Sequence, residues 1–327
     1  MDGTRGKPTD NVILGEDVLV KKEIDQGAAY FQLQHMLDTR LSDADRFPLK
    51  LSKMTFMQVP TGNVPIQVFH QAAPANLILT ASDYPVNAKF YRAAGFSNEF
   101  GAFQGTHMYV DPAGGGQNGD ETAYAVTKFS AGRVFLVDIG GVPGGIGEDN
   151  LEMLTQVAAK WKPERISIEK NYGNGALSNV WQPLLFRKHQ CEIEDVWESG
   201  QKELRIIDTL EPVIGSGRFI VDEELIEKDW ATVQKYPAER RASYSLFSQM
   251  EKITRDRGSL FHDDRIDALA GSVRNWVQDL SQDDEQAKYQ AQRKAYEDMM
   301  ANPLGNGRSL ANMGMANRYP TNNNSSI

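Results

Sequence analysis

The chain has 327 residues, 40% of them hydrophobic, enough for one large domain or two modest ones with a real core. No run nears the roughly 18 consecutive apolar residues of a membrane span, the N-terminal stretch MDGTRGKPTD lacks the apolar centre of a secretory signal, and the lone Cys191 excludes an internal disulfide framework or a cysteine-based zinc site, which suits a reducing cytoplasm. The net charge of −9 argues against a general nucleic-acid coat, which is usually basic, while leaving room for acids gathered around bound cations.

In chain order, residues 18–37 carry apolar positions three and four apart and predict a helix. Ser42-Asp43-Ala44-Asp45 and Pro48 read as a loop. Residues 54–82 hold short alternating runs such as Ile66-Gln67-Val68-Phe69, broken by Pro60, Pro65 and Pro74. Residues 1–105 are therefore set apart as an irregular N-terminal segment. From His107 the pattern becomes regular. Strands are predicted at 107–110, 122–129 and 133–139, with short polar or glycine-bearing links that suit antiparallel hairpins. Residues 148–161 predict an amphipathic helix, with Leu151, Leu154, Val157, Ala158 and Trp161 on one face and Pro163 as its stop. A strand at 165–169, a helix at 179–189 and a strand at 191–196 follow. Helices at 242–254 and 263–279 close a domain spanning 106–280. This order predicts an α/β fold: a mixed sheet of three antiparallel strands followed by parallel strands, flanked by helices. Residues 281–327 read as a polar helix and then a flexible tail rich in Asn, Gly and Ser.

Three acidic motifs occur within the regular part. Asp111 ends an apolar strand ahead of Pro112-Ala113-Gly114-Gly115-Gly116, where glycines leave space beside a carboxylate. An ordinary Asp-Pro turn explains the same residues. Glu169 ends the strand Ile166-Ser167-Ile168, a position that faces the functional edge of an α/β sheet, or is simply a solvated strand end. His262-Asp263-Asp264-Arg265-Ile266-Asp267 opens an apolar helix, where capping alone accounts for one acid but not for three. Asp264 and Asp267 are three apart and Asp263 and Asp267 four apart, so one pair shares a face. Carboxylates brought together from separate segments need a counterion. Oxygen ligands favour a hard divalent cation, Mg²⁺ or Mn²⁺, and two such ions clamping a phosphate is a common way to cut a phosphodiester.

Other readings fall away. No Gly-x-x-x-x-Gly-Lys-Ser/Thr occurs, so there is no phosphate-binding P-loop, and the glycines at 140–147 do not fit a dinucleotide spacing. The five histidines show no zinc-ligand spacing. Lys170, Arg255, Arg257 and Arg265 lie beside the second and third motifs and suit phosphate contacts, or equally a mixed-charge surface interleaved with acids.

Taken with their flanks, the motifs resemble a known family. Asp-Pro-Ala-Gly with Asp-Glu-Thr, then Glu-Lys-Asn-x-Gly-Asn-Gly, then Arg-Gly-x-Leu-x-His-Asp-Asp-Arg-x-Asp-Ala-Leu is similar to the nuclease domain of the large terminase subunit, the DNA packaging protein, of T7-like tailed bacteriophages. The resemblance covers residues 106–280. Residues 1–60, notably 31–39, resemble the linker out of that family's ATPase domain. The family implies a ribonuclease H-like fold and an endonuclease that uses two Mg²⁺ or Mn²⁺ ions to cut concatemeric viral DNA during genome packaging, in the host cell cytoplasm. Asp111 and Glu169 match the first two catalytic, metal-binding acids. The third falls on Asp264, with Asp263 second. Lys170, Arg255, Arg257 and Arg265 are the expected DNA contacts. The implied partners are double-stranded DNA, the portal and prohead, the terminase small subunit, and an ATPase domain or chain. This sequence lacks the Walker A motif, so it is expected to be the nuclease part of a large subunit without its motor. Two rival readings remain: a non-catalytic docking module for portal or motor on the same fold, and a resolvase-type nuclease.

Overall fold

The computed structural model describes residues 46–113, 121–145, 147–170 and 176–282, with positions 18 and 293 in isolation. The expected helix at 18–37, the glycines 114–116, residues 171–175 and the tail lie outside the described residues, those two positions apart.

The first part of the chain makes short strands: β1 (Thr55–Met57), β2 (Asn63–Pro65), β3 (Val68–Phe69), β4 (Leu77–Ile78), β5 (Phe90–Arg92), β6 (Gly95–Phe96) and β7 (Phe100–Ala102). Longer elements follow: β8 (Gly105–Asp111), β9 (Glu121–Ser130), β10 (Arg133–Pro143), α1 (Glu148–Trp161), β11 (Arg165–Glu169), α2 (Ala176–Leu185), β12 (Glu192–Val196), α3 (Lys202–Gly215), β13 (Phe219–Asp222), α4 (Glu224–Thr232), α5 (Ala238–Tyr244), α6 (Leu246–Lys252) and α7 (Asp264–Arg274). One sheet of nine strands carries the fold, in the order β12-β11-β8-β9-β10-β13-β1-β5-β4. Strands β8, β9 and β10 form the antiparallel meander; β11 and β12 add in parallel on one side, and β13, β1 and β5 in parallel on the other. The mixed α/β sheet expected from the sequence is therefore present.

Local chemistry explains the central strands. Every residue of β9 is buried, as a strand covered on both faces requires. A two-residue turn joins β9 to β10, with Ala131 and Gly132 both at positive φ (47° and 67°), the conformation whose twist matches that of the flanking strands. Helix α1 buries Leu151, Leu154, Thr155 and Ala158. Its chain leaves the helix through Lys162 in the left-handed region, just before Pro163. Trp181 of α2 is fully buried and donates its ring N–H to Thr155 Oγ1 at 2.9 Å, which locks α2 onto α1.

Alternation along the strands sorts residues to two faces. Met108 and Val110 of β8, Ile166 and Ile168 of β11, and Tyr124 and Val126 of β9 pack in one apolar core with Leu151, Leu154 and Trp181. The intervening positions turn to the opposite face, toward α7. There His107 Nδ1 lies 3.3 Å from the Ser272 carbonyl oxygen, and Thr127 Oγ1 lies 2.8 Å from Ser272 Oγ. Helix α7 has ten of its eleven residues buried.

Two features differ from the sequence expectation. The described part of the segment before residue 105 does not stand apart, since β1, β5 and β4 continue the central sheet beyond β13. Strands of two or three residues carry too little periodicity to announce themselves. The single helix expected at 242–254 is two helices. Ser245 between them is extended (ψ 128°), accepts a hydrogen bond from the Ser248 backbone N–H and donates one to Asp229 Oδ2 at 2.6 Å. A serine that caps one helix while bonding a buried carboxylate competes with the continuous helix. The region 202–232, unassigned from sequence, supplies α3, β13 and α4.

Candidate metal centre

Asp111 and Glu169 reach the same place because of register. Val110 pairs with Ile168 across the parallel strands β8 and β11, and both point into the apolar core. The next residue on each strand therefore turns to the α7 face, one position beyond the last paired rung. The turn after Asp111 is held by the Ala113 N–H donating to Thr122 Oγ1 at 3.0 Å. From α7, Asp267 completes the group: one carboxylate oxygen from each of Asp111, Glu169 and Asp267 lies within 4.8 Å of the others.

The α7 acid that lies closest to Asp111 and Glu169 is thus Asp267, whereas the sequence favoured Asp264. Asp264 sits beside this group, and its Oδ2 accepts the Glu121 backbone N–H at 3.3 Å. Asp263 lies at the start of α7 and accepts a hydrogen bond from Lys202 Nζ at 2.8 Å. Asp267 is one helical turn further in, on the face that also carries Gly271. A Cβ at Gly271 would lie 2.5 Å from the Tyr109 ring, so glycine there lets α7 pack close against β8.

Two cations enter the acidic group from α3. Lys202 Nζ is 3.8 Å from Asp111, 2.8 Å from Asp263 and 3.1 Å from Asp267. One Arg205 nitrogen bonds both Asp267 oxygens at 2.9 Å. Glu198 sits behind them, accepting a hydrogen bond from Tyr109 and pairing with Arg205 and Arg274. Sequence reasoning passed over Lys202, Arg205 and Glu198. The one available signal was a lysine at the first position of a helix, where the dipole disfavours a cation unless anions stand nearby.

The cations do not balance the acids. Burial raises the Asp111 pKa well above the usual carboxylate range; Lys202 opposes this, while Asp267, Glu169 and Asp264 push it further up. Burial raises Glu169 too, with Asp267 as the main electrostatic contributor. Burial would lower Lys202, but Asp267, Asp111 and Asp263 outweigh it and hold the ammonium above its ordinary value. Glu169 Oε2 is buried with no hydrogen-bond partner among the described residues. An orphaned anionic oxygen beside two further carboxylates suits a bound divalent cation, so the residues present fit Mg²⁺ or Mn²⁺.

The basic residues expected to meet DNA fall into different environments. Arg265 is fully buried, so it is not a phosphate contact; its guanidinium is taken up by Glu121 and Asp229. Arg255 is exposed and paired with Asp208 at 3.0 Å and Glu211 at 2.7 Å. Lys170 lies 3.8 Å from Asp195, partly exposed. Arg257 is exposed. Among the described residues, no helix is long and apolar enough to cross a membrane.

Residues 110–219 match the family described as the ribonuclease H-like domain of the bacteriophage T7 terminase. The large terminase subunit of Enterobacteria phage T3 is 34% identical over 268 residues, covering 81% of this chain and 45% of that protein. The chain thus spans about half the length of that curated relative. Among solved structures, the Mn-soaked, inhibitor-bound terminase nuclease domain of human cytomegalovirus is similar with a TM-score of 0.38 and 15% identity, over 53% of this chain and 83% of that one. The large terminase nuclease of thermophilic phage G20c gives a TM-score of 0.37 at 10% identity, over 69% of this chain and 97% of that one.

Proposed function

We propose that the protein is a divalent-metal-dependent endonuclease that cuts concatemeric viral DNA during genome packaging, a reading that starts from the match of residues 110–219 to the T7-type terminase ribonuclease H-like domain. The observation that carries the reading is the convergence of Asp111, Glu169 and Asp267 within 4.8 Å, more anionic than its neighbouring cations offset. Mg²⁺ or Mn²⁺ bound there would supply charge neutralisation at the scissile phosphate and a water activated near neutral pH.

This chain's own residues hold the arrangement. Asp111, at the end of β8, and Glu169, whose Oε2 has no hydrogen-bond partner among the described residues, would hold the ion from the strands. Asp267 would hold it from the helix, with both of its oxygens already oriented by Arg205. Asp264 stands close enough to raise the Asp111 pKa and is the candidate ligand for a second ion. Lys202 restrains the mutual repulsion of the acids in the metal-free protein. The substrate is double-stranded DNA. The portal and prohead, the terminase small subunit and an ATPase domain or chain are the partners the reading calls for, with the work done in the host cell cytoplasm. The segment 1–105 would connect to such a motor and residues 281–327 would lie toward the portal.

The test is plasmid cleavage by the full chain with Mg²⁺, Mn²⁺ or EDTA. Cleavage with either metal and none in EDTA is expected. Asp111→Asn, Glu169→Gln and Asp267→Asn should each reduce it to background, whereas Asp263→Asn should retain most of it. Undiminished cleavage by Asp267→Asn would remove that residue from the site. Absence of cleavage under every condition would favour the docking-module reading.

A further inference from the structure

Phe261 (76% exposed) and Trp197 (66%) are the two most exposed Phe or Trp side chains among the described residues, and each lies within two residues of an acid of the site or its surroundings, Asp263 and Glu198. Glu169 pairs with Val196 in the β11–β12 register, and the Lys170 N–H donates to the Val196 carbonyl at 2.8 Å. Trp197 is therefore one step beyond the rung that carries Glu169. It also precedes Glu198, which holds Tyr109 and Arg205 in the site. Phe261 lies two residues before Asp263, and its neighbour His262 is buried and stacked on Tyr244 with ring centroids 3.9 Å apart. The two loops that carry these rings are tied together. Gln201 donates to the Arg255 carbonyl at 2.8 Å, the Gly258 N–H donates to Glu203 at 2.6 Å, and Lys202 reaches Asp263. Two exposed aromatic rings are thus carried on loops that are braced against each other and that lead, within two residues, to Glu198 and Asp263.

Exposed rings of this size are costly to leave in water and mark contact sites when they cluster at a functional edge. Electrostatics indicates what they contact. The chain is net negative, and the cations nearest the site are already engaged: Lys202 with three acids, Arg205 and Arg274 with Glu198, and Arg255 with Asp208 and Glu211. Phosphate contacts alone give such a surface little hold on DNA. Stacking on bases needs no charge and no particular sequence, because every base has a π-face.

We propose that Trp197 and Phe261 form a base-stacking rim that receives unstacked nucleobases of the DNA strand whose phosphate lies at the acidic group. The inference rests on the nuclease reading and adds to it a substrate preference: locally melted or single-stranded DNA over perfect duplex, with a shallow dependence on salt. Arg257, on the same loop as Phe261, is exposed.

The experiment is fluorescence anisotropy of the full chain in Mg²⁺ with labelled phosphorothioate oligonucleotides, as single strand and as matched duplex, with plasmid cleavage followed in parallel. Wild type should bind the single strand more tightly than the duplex. Trp197→Ala and Phe261→Ala should each weaken single-strand binding roughly tenfold, and Trp197→Phe should recover much of it. Both side chains are exposed, so the melting temperature and its rise on adding Mn²⁺ should stay as in wild type. A double alanine variant that binds both DNA forms as wild type does, or a wild type that binds neither, overturns the rim. A protein that binds through Trp197 yet cuts nothing overturns the nuclease reading and leaves the rim standing.

Discussion

Arg265 and Asp267 are two residues apart on α7, yet they belong to charge clusters of different kinds. Around Arg265 the accounts close. The side chain is fully buried; Nε and Nη2 donate to the two Glu121 oxygens at 2.8 and 3.1 Å, and Nη1 donates to Asp229 at 2.7 Å and Thr232 at 2.9 Å. Glu121 also accepts the Tyr236 hydroxyl at 2.6 Å, and Asp229 accepts Ser245 and the Leu246 N–H. Burial alone would raise the Glu121 pKa, but Arg265, helped by Tyr236 and Lys235, outweighs it and holds the carboxyl below its usual value. Even the backbone makes room, since a Cβ at Gly141 would collide with the Glu121 carboxylate. Around Asp267 the accounts stay open: acids exceed cations, carboxyl pKa values rise, and one buried oxygen has no hydrogen-bond partner among the described residues. Residues of the same types thus make a strut in one place and a candidate metal site two residues along. The difference lies in whether each buried charge has its partner inside the chain.

The sharpest way to break this comparison is to delete one member of each cluster. Arg265→Met leaves Glu121 and Asp229 buried without their cation and should cost about 3–5 kcal/mol in a urea melt. Asp111→Asn removes repulsion and should leave stability unchanged or improved while cleavage is lost. Equal destabilisation by both variants would show that the two clusters do the same structural work.

Acid should separate the regions further, and His107 gives the clearest signal. Burial, partly offset by the Ser272 carbonyl and reinforced by Arg165, lowers its pKa from 6.5 to about 4. Between those values the unfolded chain binds a proton that the folded chain refuses, so this contribution is complete above pH 6.5 and is lost as pH falls toward 4. The loss is about 3 kcal/mol, and His107→Gln should abolish it. Glu121 acts in the same direction below its unfolded pKa of 4.5. Asp111 and Glu169 act oppositely: their raised pKa values mean the metal-free fold binds protons more readily than the unfolded chain, so their contribution falls as pH rises. Melts of wild type, His107→Gln and Asp111→Asn across pH 4–8 resolve the three trends.

Metal should act on the open cluster alone. At about 100 times its dissociation constant, Mn²⁺ should stabilise the chain by about 2.7 kcal/mol. That gain should shrink as pH falls, because the ligands must shed protons to bind. Lys202→Gln should lower the metal-free stability by about 1 kcal/mol and enlarge the Mn²⁺ response. A Mn²⁺ response that survives Asp111→Asn would move the metal elsewhere.

Period-two alternation and the acids at two strand ends lie in the chain itself, which is why the β8 to β12 core and the strand-end placement of Asp111 and Glu169 were legible in the sequence. Alternation is a local property: once Val110 and Ile168 face the core, the next residues face away from it. The rotation of α7 is not local. Nearly every position of that helix is buried, so no apolar stripe tells which acid faces the strands. That choice falls to contacts distant in sequence, Arg265 with Glu121 and Asp229, Gly271 against Tyr109, and Arg205 with Asp267. The same holds for Arg265 itself, which reads as a DNA contact in a basic stretch and becomes a strut only when β9 and α4 close around it. The short strands β1, β4 and β5 gain their place from pairing with β13 and with one another, since two or three residues hold too little pattern to fix a strand alone.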